Sequence, residues 1–478
     1  MELHEYATFD ATALGDLLAS GQIGRPELIE VALKAIDAID PRLNAVIEAW
    51  PDAVQEEVQG SAFRGVPCLM DDDGIDIAGR RRESGSRLAA GHISAEDCSL
   101  SRRWRDGGLI PIGRTRTAEF GLNFTAEAVA GSPCHNPWHL NRSAGGPPGG
   151  AGAAVAAGLV PIAHAVDEAG GLRVVAACNG VFGLTPSRGR VAGERASAEI
   201  GQGMRAQFAL TRSVRDSAAM LDLLAIRGRE ADPGAVDRGP AYVADLLRDP
   251  PPLRIGVAMV PPNRAIVAAS IAAATLAVAS LCDDLGHHVT ELDLDCGASW
   301  DELTNSTAQI WSVKIARRIG EIEHATGRTA DTTSLEPATL AVLRHGSAVS
   351  ADQLAAALAL PARMTRTLAT TLASHDLILT PTLIEPAPSI GTFTEEESWL
   401  DGPAWVDRLL RHAPFTILAN LAGFPATSVP MSADPATRMP IGTQFIAAFG
   451  REDLLLRLAA QLERASPWSA RRPPVRVH

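Results

Sequence analysis

The order of apolar runs along this chain predicts an α/β fold, and three stretches carry that prediction. Residues 253–260 and 288–294 read as strands, and between them 265–282 is alanine-rich without a single charged residue. Parallel strands need a crossover of a dozen or more residues, and a helix of small residues packed on the sheet supplies one. The glycine-rich run 143–152 feeds an apolar helix over 151–159, and a strand over 159–165 follows. Residues 377–382 form a short apolar run containing Pro381, which fits a buried strand that ends at a cleft. With 478 residues, 46% of them hydrophobic, the chain has material for a large core.

The remaining elements follow in order. Residues 10–57 read as helices, with Asp10 and Arg25-Pro26 near helix starts. From Gly65 to Thr115 the pattern gives an inner strand, a helix over 96–105 and a second strand. Residues 227–240 are charged and contain Pro233-Gly234, which predicts a surface loop. Residues 321–353 read as helices with loops and are expected to shape a pocket, and 451–465 form a terminal amphipathic helix. No internal repeat is present.

Composition removes several function classes. Fifty-six acidic against 43 basic residues give a net charge of −13, which argues against a nucleic-acid partner. The six cysteines, Cys68, Cys98, Cys134, Cys178, Cys282 and Cys296, form no CxxC pair, so neither zinc nor a disulfide framework is expected. There is no HExxH motif, and no metal or cofactor is expected. The glycine run lacks the GxxxxGK[ST] spacing, and Pro147 and Pro148 remove backbone donors, so it does not read as a phosphate loop. Residues 265–282 are long enough to suggest a membrane span, but their alanine content and flanking strands favour the crossover helix. The first residues are acidic and lack the apolar region of a signal peptide, so the expected location is cytoplasmic.

A series of motifs then appears in a fixed order. Gly65-Val66-Pro67-Cys68-Leu69-Met70-Asp71-Asp72-Asp73-Gly74 comes first, then Ile112-Gly113-Arg114-Thr115 and Asn136-Pro137-Trp138. Ser143-Ala144-Gly145-Gly146-Pro147-Pro148-Gly149-Gly150 is followed by Val166-Asp167-Glu168-Ala169-Gly170-Gly171-Leu172-Arg173. Gly183-Leu184-Thr185-Pro186, Asn420-Leu421-Ala422-Gly423-Phe424-Pro425 and Pro440-Ile441-Gly442-Thr443-Gln444 complete it. Together these resemble the amidase signature family, nearly end to end. The resemblance implies one domain over 1–478, with a large mixed twisted sheet sandwiched by helices. Within it, 1–60 would be a helical N-terminal region, 61–225 the signature core, and 226–478 a second half with a variable helical segment near 321–370.

The family works through a Ser–cisSer–Lys triad, and on this resemblance all three positions are changed. The lysine position is Asp71, the bridging serine is Pro147 and the acylated serine is Gly171. Glycine has no atom to attack a carbonyl, proline has no hydroxyl to relay a proton, and an aspartate cannot take over the lysine's role unchanged. The family's oxyanion-binding turn here reads Glu168-Ala169-Gly170-Gly171, with a carboxylate where a hydroxyl usually stands. Before an ordinary residue a cis peptide costs about 2.5–4 kcal/mol, but before proline only about 0.5–1 kcal/mol. Gly146–Pro147 is therefore expected to be cis, which would keep the loop's shape without its chemistry.

Two carboxylates are the candidate replacements. If Asp71 and Glu168 share a poorly solvated cleft, their pKa values separate and one serves as acid, the other as base. The Gly170–Gly171 backbone would form a polar clamp, and Asp73, Gly146, Pro148 and Ala169 would line the cleft. The added negative charge would suit a cationic or amine-bearing ligand. Asp72, Asp167 and Arg173 match retained family positions and read as structural, and Glu168 could alternatively face solvent or pair with Arg173. Cys134, even beside His135, and Cys178 read as ordinary cysteines, and His164 as a core histidine.

The leading expectation is a repurposed enzyme without an acyl-enzyme, doing isomerisation, hydration, elimination or cyclisation on a small molecule. The alternative is a non-catalytic relative that binds a small ligand or a protein. A small-molecule ligand is the expected partner, membrane and nucleic acid are not, and a homodimer stays open.

Overall fold

The computed structural model describes residues 1–55, 62–191, 203–226, 242–395 and 397–478. Among them, eleven strands form one mixed sheet. Its spatial order is β1 (Val46–Ala49), β3 (Leu109–Thr115), β2 (Val66–Asp71), β6 (Ile162–Asp167), β8 (Ala206–Thr211), β7 (Phe182–Thr185), β12 (Ala426–Ala433), β13 (Pro440–Ala447), β11 (Leu377–Pro381), β9 (Arg254–Val257) and β10 (His288–Glu291). β4 (His135–Asn136) and β5 (His139–Ser143) make a separate ribbon. The trios β3–β2–β6 and β11–β9–β10 are parallel, and every other pairing is antiparallel.

Helices cover both faces. One core packs α1 (Leu3–Tyr6), α2 (Ala11–Ala19), α3 (Arg25–Leu43), α4 (Ser99–Asp106), α5 (Gly149–Ala157), part of α6 (Gly171–Asn179), α7 (Val214–Leu224), α8 (Tyr242–Asp245), α9 (Ala269–Asp284) and α15 (Glu452–Ala465). The other packs α10 (Trp300–Thr326), α11 (Pro337–Ala348), α12 (Ala351–Ser374), α13 (Gly402–His412) and α14 (Thr416–Ala422). Side chains alternate between faces along a strand, and the two cores divide the sheet accordingly. Leu377, Leu379 and Phe445 join the first core, whereas Ile378 and Ile446 join the second. β2, β3, β6 and β11 are buried at every residue, as inner strands under two helical layers must be.

The crossover between 253–260 and 288–294 is realised by α9, which links the parallel pair β9 and β10. It buries Ile271, Thr275, Val278 and Cys282 and leaves Leu276 exposed. No helix among the described residues is long and apolar enough to cross a membrane. The N-terminal reading needs correction, because 10–57 is not helical throughout. Asn44 adopts a left-handed conformation that ends α3, and the Asp40 carboxylate accepts the amides of Ala45 and Val46 at 2.8 and 3.0 Å. The chain then runs out as β1, antiparallel to β3. The surface loop expected over 227–240 lies outside the described residues.

Candidate active site

β2, β6 and the loop before α5 converge at one end of the sheet. β2 ends at Asp71 and β6 at Asp167, and the Gly146–Pro147 peptide between them is cis. After β6 the chain reverses sharply into α6. Gly170 has φ +119°, and Thr416 stands where a side chain would go, so only glycine fits this turn. Asp167 holds the turn from inside. Its carboxylate accepts Gly170 N–H at 2.7 Å, both arms of Arg173 at 2.9 and 3.0 Å, Thr185 Oγ1 at 2.5 Å and Asn420 Nδ2 at 2.8 Å. Arg173 also donates to Gln444 and Asn420, each at 2.5 Å. Both ions are fully buried, and Arg173 beside it keeps Asp167 ionised against the desolvation of burial.

Gly171 and Pro147 touch across this turn. A Cβ on Gly171 would stand 2.6 Å from Pro147 Cδ and 3.0 Å from Val166 O. The space a side chain would need at position 171 is filled by the proline ring. Thr117 holds the loop from behind, donating its hydroxyl to Pro147 O at 3.1 Å.

Asp71 lies next to Thr117, 1% exposed, and neither of its carboxylate oxygens has a hydrogen-bond partner. Burial, then the neighbouring Asp73 and Asp72, push its pKa well above the usual carboxylate range. The Thr117 hydrogen is engaged with Pro147 O, so it does not offset the cost of a charge on Asp71. Asp73 behaves oppositely. Arg205 reaches it at 2.9 Å and Arg318 pairs with it closely, and these two cations hold its carboxyl well below the usual range despite burial. Asp72 accepts Glu83 and Gly85 amides, both at 3.0 Å, and Arg114 at 2.7 Å.

The cavity beside Pro147 and Gly171 is small, about 30 Å³, against the roughly 300–1,000 Å³ of ligand pockets. Trp311, Lys314, Ile315 and Arg318 roof it. These positions are three, four and seven residues apart, hence one face of α10. Phe120, Leu122 and Phe124 form an apolar wall, and Gly121, Glu168, Ala169 and Arg205 complete the lining. Lys314 Nζ donates to both Glu168 oxygens at 2.9 Å, a bridge across the mouth with side chains 17% and 23% exposed. Among the described residues no group of three or more His, Cys, Asp or Glu is placed to hold a metal.

The amidase family model matches residues 27–456. The chain belongs to the amidase signature family. The 6-aminohexanoate-cyclic-dimer hydrolase of Paenarthrobacter ureafaciens is 35% identical over 482 residues, covering 97% of this chain and 96% of its own. AmiC of Mycobacterium tuberculosis (strain ATCC 25618 / H37Rv) is 33% identical over 468 residues, covering 96% and 95%. A solved structure of 6-aminohexanoate cyclic dimer hydrolase superposes with a TM-score of 0.92 at 33% identity, covering 98% of this chain and 99% of that one. The large mixed sheet flanked by helices is the architecture of these amidase signature structures.

Against this family frame, the residues singled out from sequence divide. Pro147, Gly171, Glu168 and Ala169 line the cavity, whereas Asp71, Asp73, Gly146, Pro148 and Gly170 are not among its lining residues. Glu168 pairs neither with Asp71 nor with Arg173 but with Lys314. The Gly170 amide cannot act as half of a ligand clamp, because it already donates to Asp167. Lys314 pairs with Glu168, and Arg205 and Arg318 pair with Asp73, the carboxylates that would have drawn a cationic ligand. The pocket-shaping helix lies just before 321–353, at 311–318 of α10. His164 is a core residue, 3.1 Å from Gln207 and edge-on to Trp104, and burial lowers its pKa to about 3. Burial raises the thiol of Cys134 and pushes that of Cys178 up to about 12, so neither is a ready nucleophile.

Sequence reasoning missed Lys314, Arg318, Trp311 and Arg205. One signal was present. The chain has only two lysines, Lys34 and Lys314, and Lys34 is on an exposed helix face. In a family whose chemistry depends on a lysine, the second one merited attention.

Proposed function

We propose that this chain is an amidase-family protein that performs no serine acyl transfer, and whose former catalytic cleft is packed into a closed structural element. The observation that carries this reading is the contact between Pro147 and Gly171. The proline ring occupies the volume a nucleophilic side chain would need, at 2.6 Å from any Cβ on Gly171. Three further features support it. Asp71 offers no cation and lies off the cavity, Glu168 is held by Lys314, and the remaining space of about 30 Å³ suits one or two waters rather than a substrate. The protein would then act by binding, in a cytoplasmic setting consistent with six free cysteines.

The test is intact-mass analysis after exposure to excess fluorophosphonate, beside hydrolysis of amide and ester panels. The expected result is an unmodified mass and turnover at the buffer rate. A stoichiometric adduct, or turnover above that rate, overturns the proposal.

A second reading keeps acid–base chemistry with Asp71 and Glu168, and one observation favours it. Asp71 is buried without a partner and its pKa is raised, the direction a general acid requires. It requires the Glu168–Lys314 bridge to open and the Thr117–Pro147 contact to yield. Metabolite conversion that is lost in both Asp71→Asn and Glu168→Gln would select this reading over the first.

A further inference from the structure

A second cavity, larger than the one in the cleft, lies away from it. It measures about 420 Å³, within the range of small-molecule sites. The N-terminal segment supplies Phe9 and Asp10, the chain just after β8 supplies Arg212 and Arg215, and the C-terminal part supplies Glu463 and Arg472. Its place follows from strand register. Ala206, at one end of β8, pairs with Asp167 beside the cleft, and Thr211, at the other end, pairs with Ile162. Five residues at about 3.3 Å each separate the two ends by about 17 Å.

Four arginines line this cavity, Arg212, Arg215, Arg464 and Arg472, against two acids, Asp10 and Glu463. Arg215 is forked on Asp10 at 2.5 and 2.6 Å, and Arg464 is paired with Asp249. Arg212 gives one nitrogen to Phe9 O, while its Nη1, buried from solvent, has no partner among the described residues. The nearby Asp216 is occupied by the amides of Ala11 and Thr12 and by the Thr12 hydroxyl. Arg472, in the tail after α15, makes no hydrogen bond or ion pair among the described residues and lies close enough to Arg212 to be repelled by it. Burial together with Arg212 and Arg476 lowers its pKa to about 10. An arginine keeps its charge in a protein; Arg212 is attracted by Asp216 and Asp10, whereas Arg472 faces only like charge, which an anion from outside would answer.

Glu463 faces the same space. Burial, with Asp10 and Asp216 nearby, raises its pKa to about 7. Near neutrality it therefore carries its proton part of the time and can donate to an oxygen. Phe9, Ala13, Leu246 and Ala460 give the cavity an apolar side.

We propose that this cavity binds a small molecule with a dianionic oxyanion head, a phosphate monoester, gripped by Arg212 and Arg472 with its apolar body against Phe9 and Leu246. Paired guanidinium forks match tetrahedral oxyanions in geometry and charge. The site is independent of the cleft, so its failure leaves the reading of Gly171 and Pro147 untouched.

Isothermal titration of the full chain with phenyl phosphate, inorganic phosphate, benzoate and phenol tests it. Saturable binding is expected for phenyl phosphate, weaker binding for inorganic phosphate and none for phenol. Arg472→Gln should weaken phenyl phosphate at least about tenfold, the scale of a lost charge-assisted hydrogen bond, and Arg472→Lys should weaken it less. Arg472 makes no hydrogen bond or ion pair among the described residues, so this variant reports on the site, whereas Arg212→Gln would also release Phe9. Benzoate binding as tightly as phenyl phosphate would overturn the phosphate assignment. An unchanged affinity in Arg472→Gln, or no saturable binding of any probe, would overturn the site.

Discussion

Two buried carboxylates stand at the ends of adjacent parallel strands, and the molecule treats them in opposite ways. Asp167, at the end of β6, is surrounded by donors: Arg173, Thr185, Asn420 and the Gly170 amide all reach it. Asp71, at the end of β2, has none. Both are at least 99% buried. The difference teaches what has been kept. The network that shapes the turn between β6 and α6 is fully satisfied, whereas the position that the family resemblance assigns to a catalytic lysine carries a group the site tolerates only without charge.

The sharpest break in the comparison is on the satisfied side. Arg173→Met leaves the Asp167 charge buried without its partner and also strips Gln444 and Asn420 of a donor. Removing one partner of a buried pair costs about 3–5 kcal/mol, so a loss of that size is expected in denaturant unfolding. A loss below about 1 kcal/mol, the scale of an exposed pair, would show that the network is not what holds the turn.

Next in size is the contact that closes the cleft. Gly171→Ser drives a Cβ into the Pro147 ring, and overpacking of this kind costs about 1–3 kcal/mol. Pro147→Ser removes the ring, so the double variant should recover part of that loss, with a coupling energy of about 0.5–3 kcal/mol. Neither variant should gain amide hydrolysis, because Asp71 still occupies the lysine position. Additive losses in the double-mutant cycle would contradict the proposed contact.

On the unsatisfied side the expected change is a gain. Folded Asp71 holds its proton to higher pH than the unfolded chain, where an aspartate titrates near about 3.9. Between those two values the folded state binds more protons, so stability falls as pH rises. Asp71→Asn removes that slope. The variant should match wild type at acidic pH, below the unfolded value, and exceed it increasingly toward neutrality. A neutral-pH loss of stability would mean that Asp71 is ionised and paired in solution.

Much of this was legible in the chain. The α/β class, α5, α9 and β11 follow from local apolar patterns, and burial on both faces makes such patterns strong. Gly171, Pro147 and Asp71 could be located because each sits inside a short motif. β1 was missed because its four residues, only partly buried, carry little pattern and follow a helix stopped by the local turn at Asn44. The roof of the cleft was missed for a different reason. Lys314 and Glu168 are 146 positions apart, and nothing in either neighbourhood encodes the meeting. It arises from how α10 is laid over the sheet, which is tertiary information. The arginine pair at the second cavity is of the same kind, joining the end of β8 to the C-terminal tail.

The Glu168–Lys314 bridge should have the smallest effect on stability. Its side chains are 23% and 17% exposed, between a buried pair and a surface one, so Glu168→Gln should cost no more than about 1 kcal/mol. Its consequence is better read on the lysine itself. With only two lysines in the chain, exposed Lys34 serves as an internal standard for amine acetylation. In wild type Lys314 should react several times more slowly than Lys34, being mostly covered and bonded to the Glu168 carboxylate. In Glu168→Gln the ratio should move toward one. If Lys314 already reacts as fast as Lys34 in wild type, the mouth of the cleft is open, and the closed element proposed for this site loses its latch.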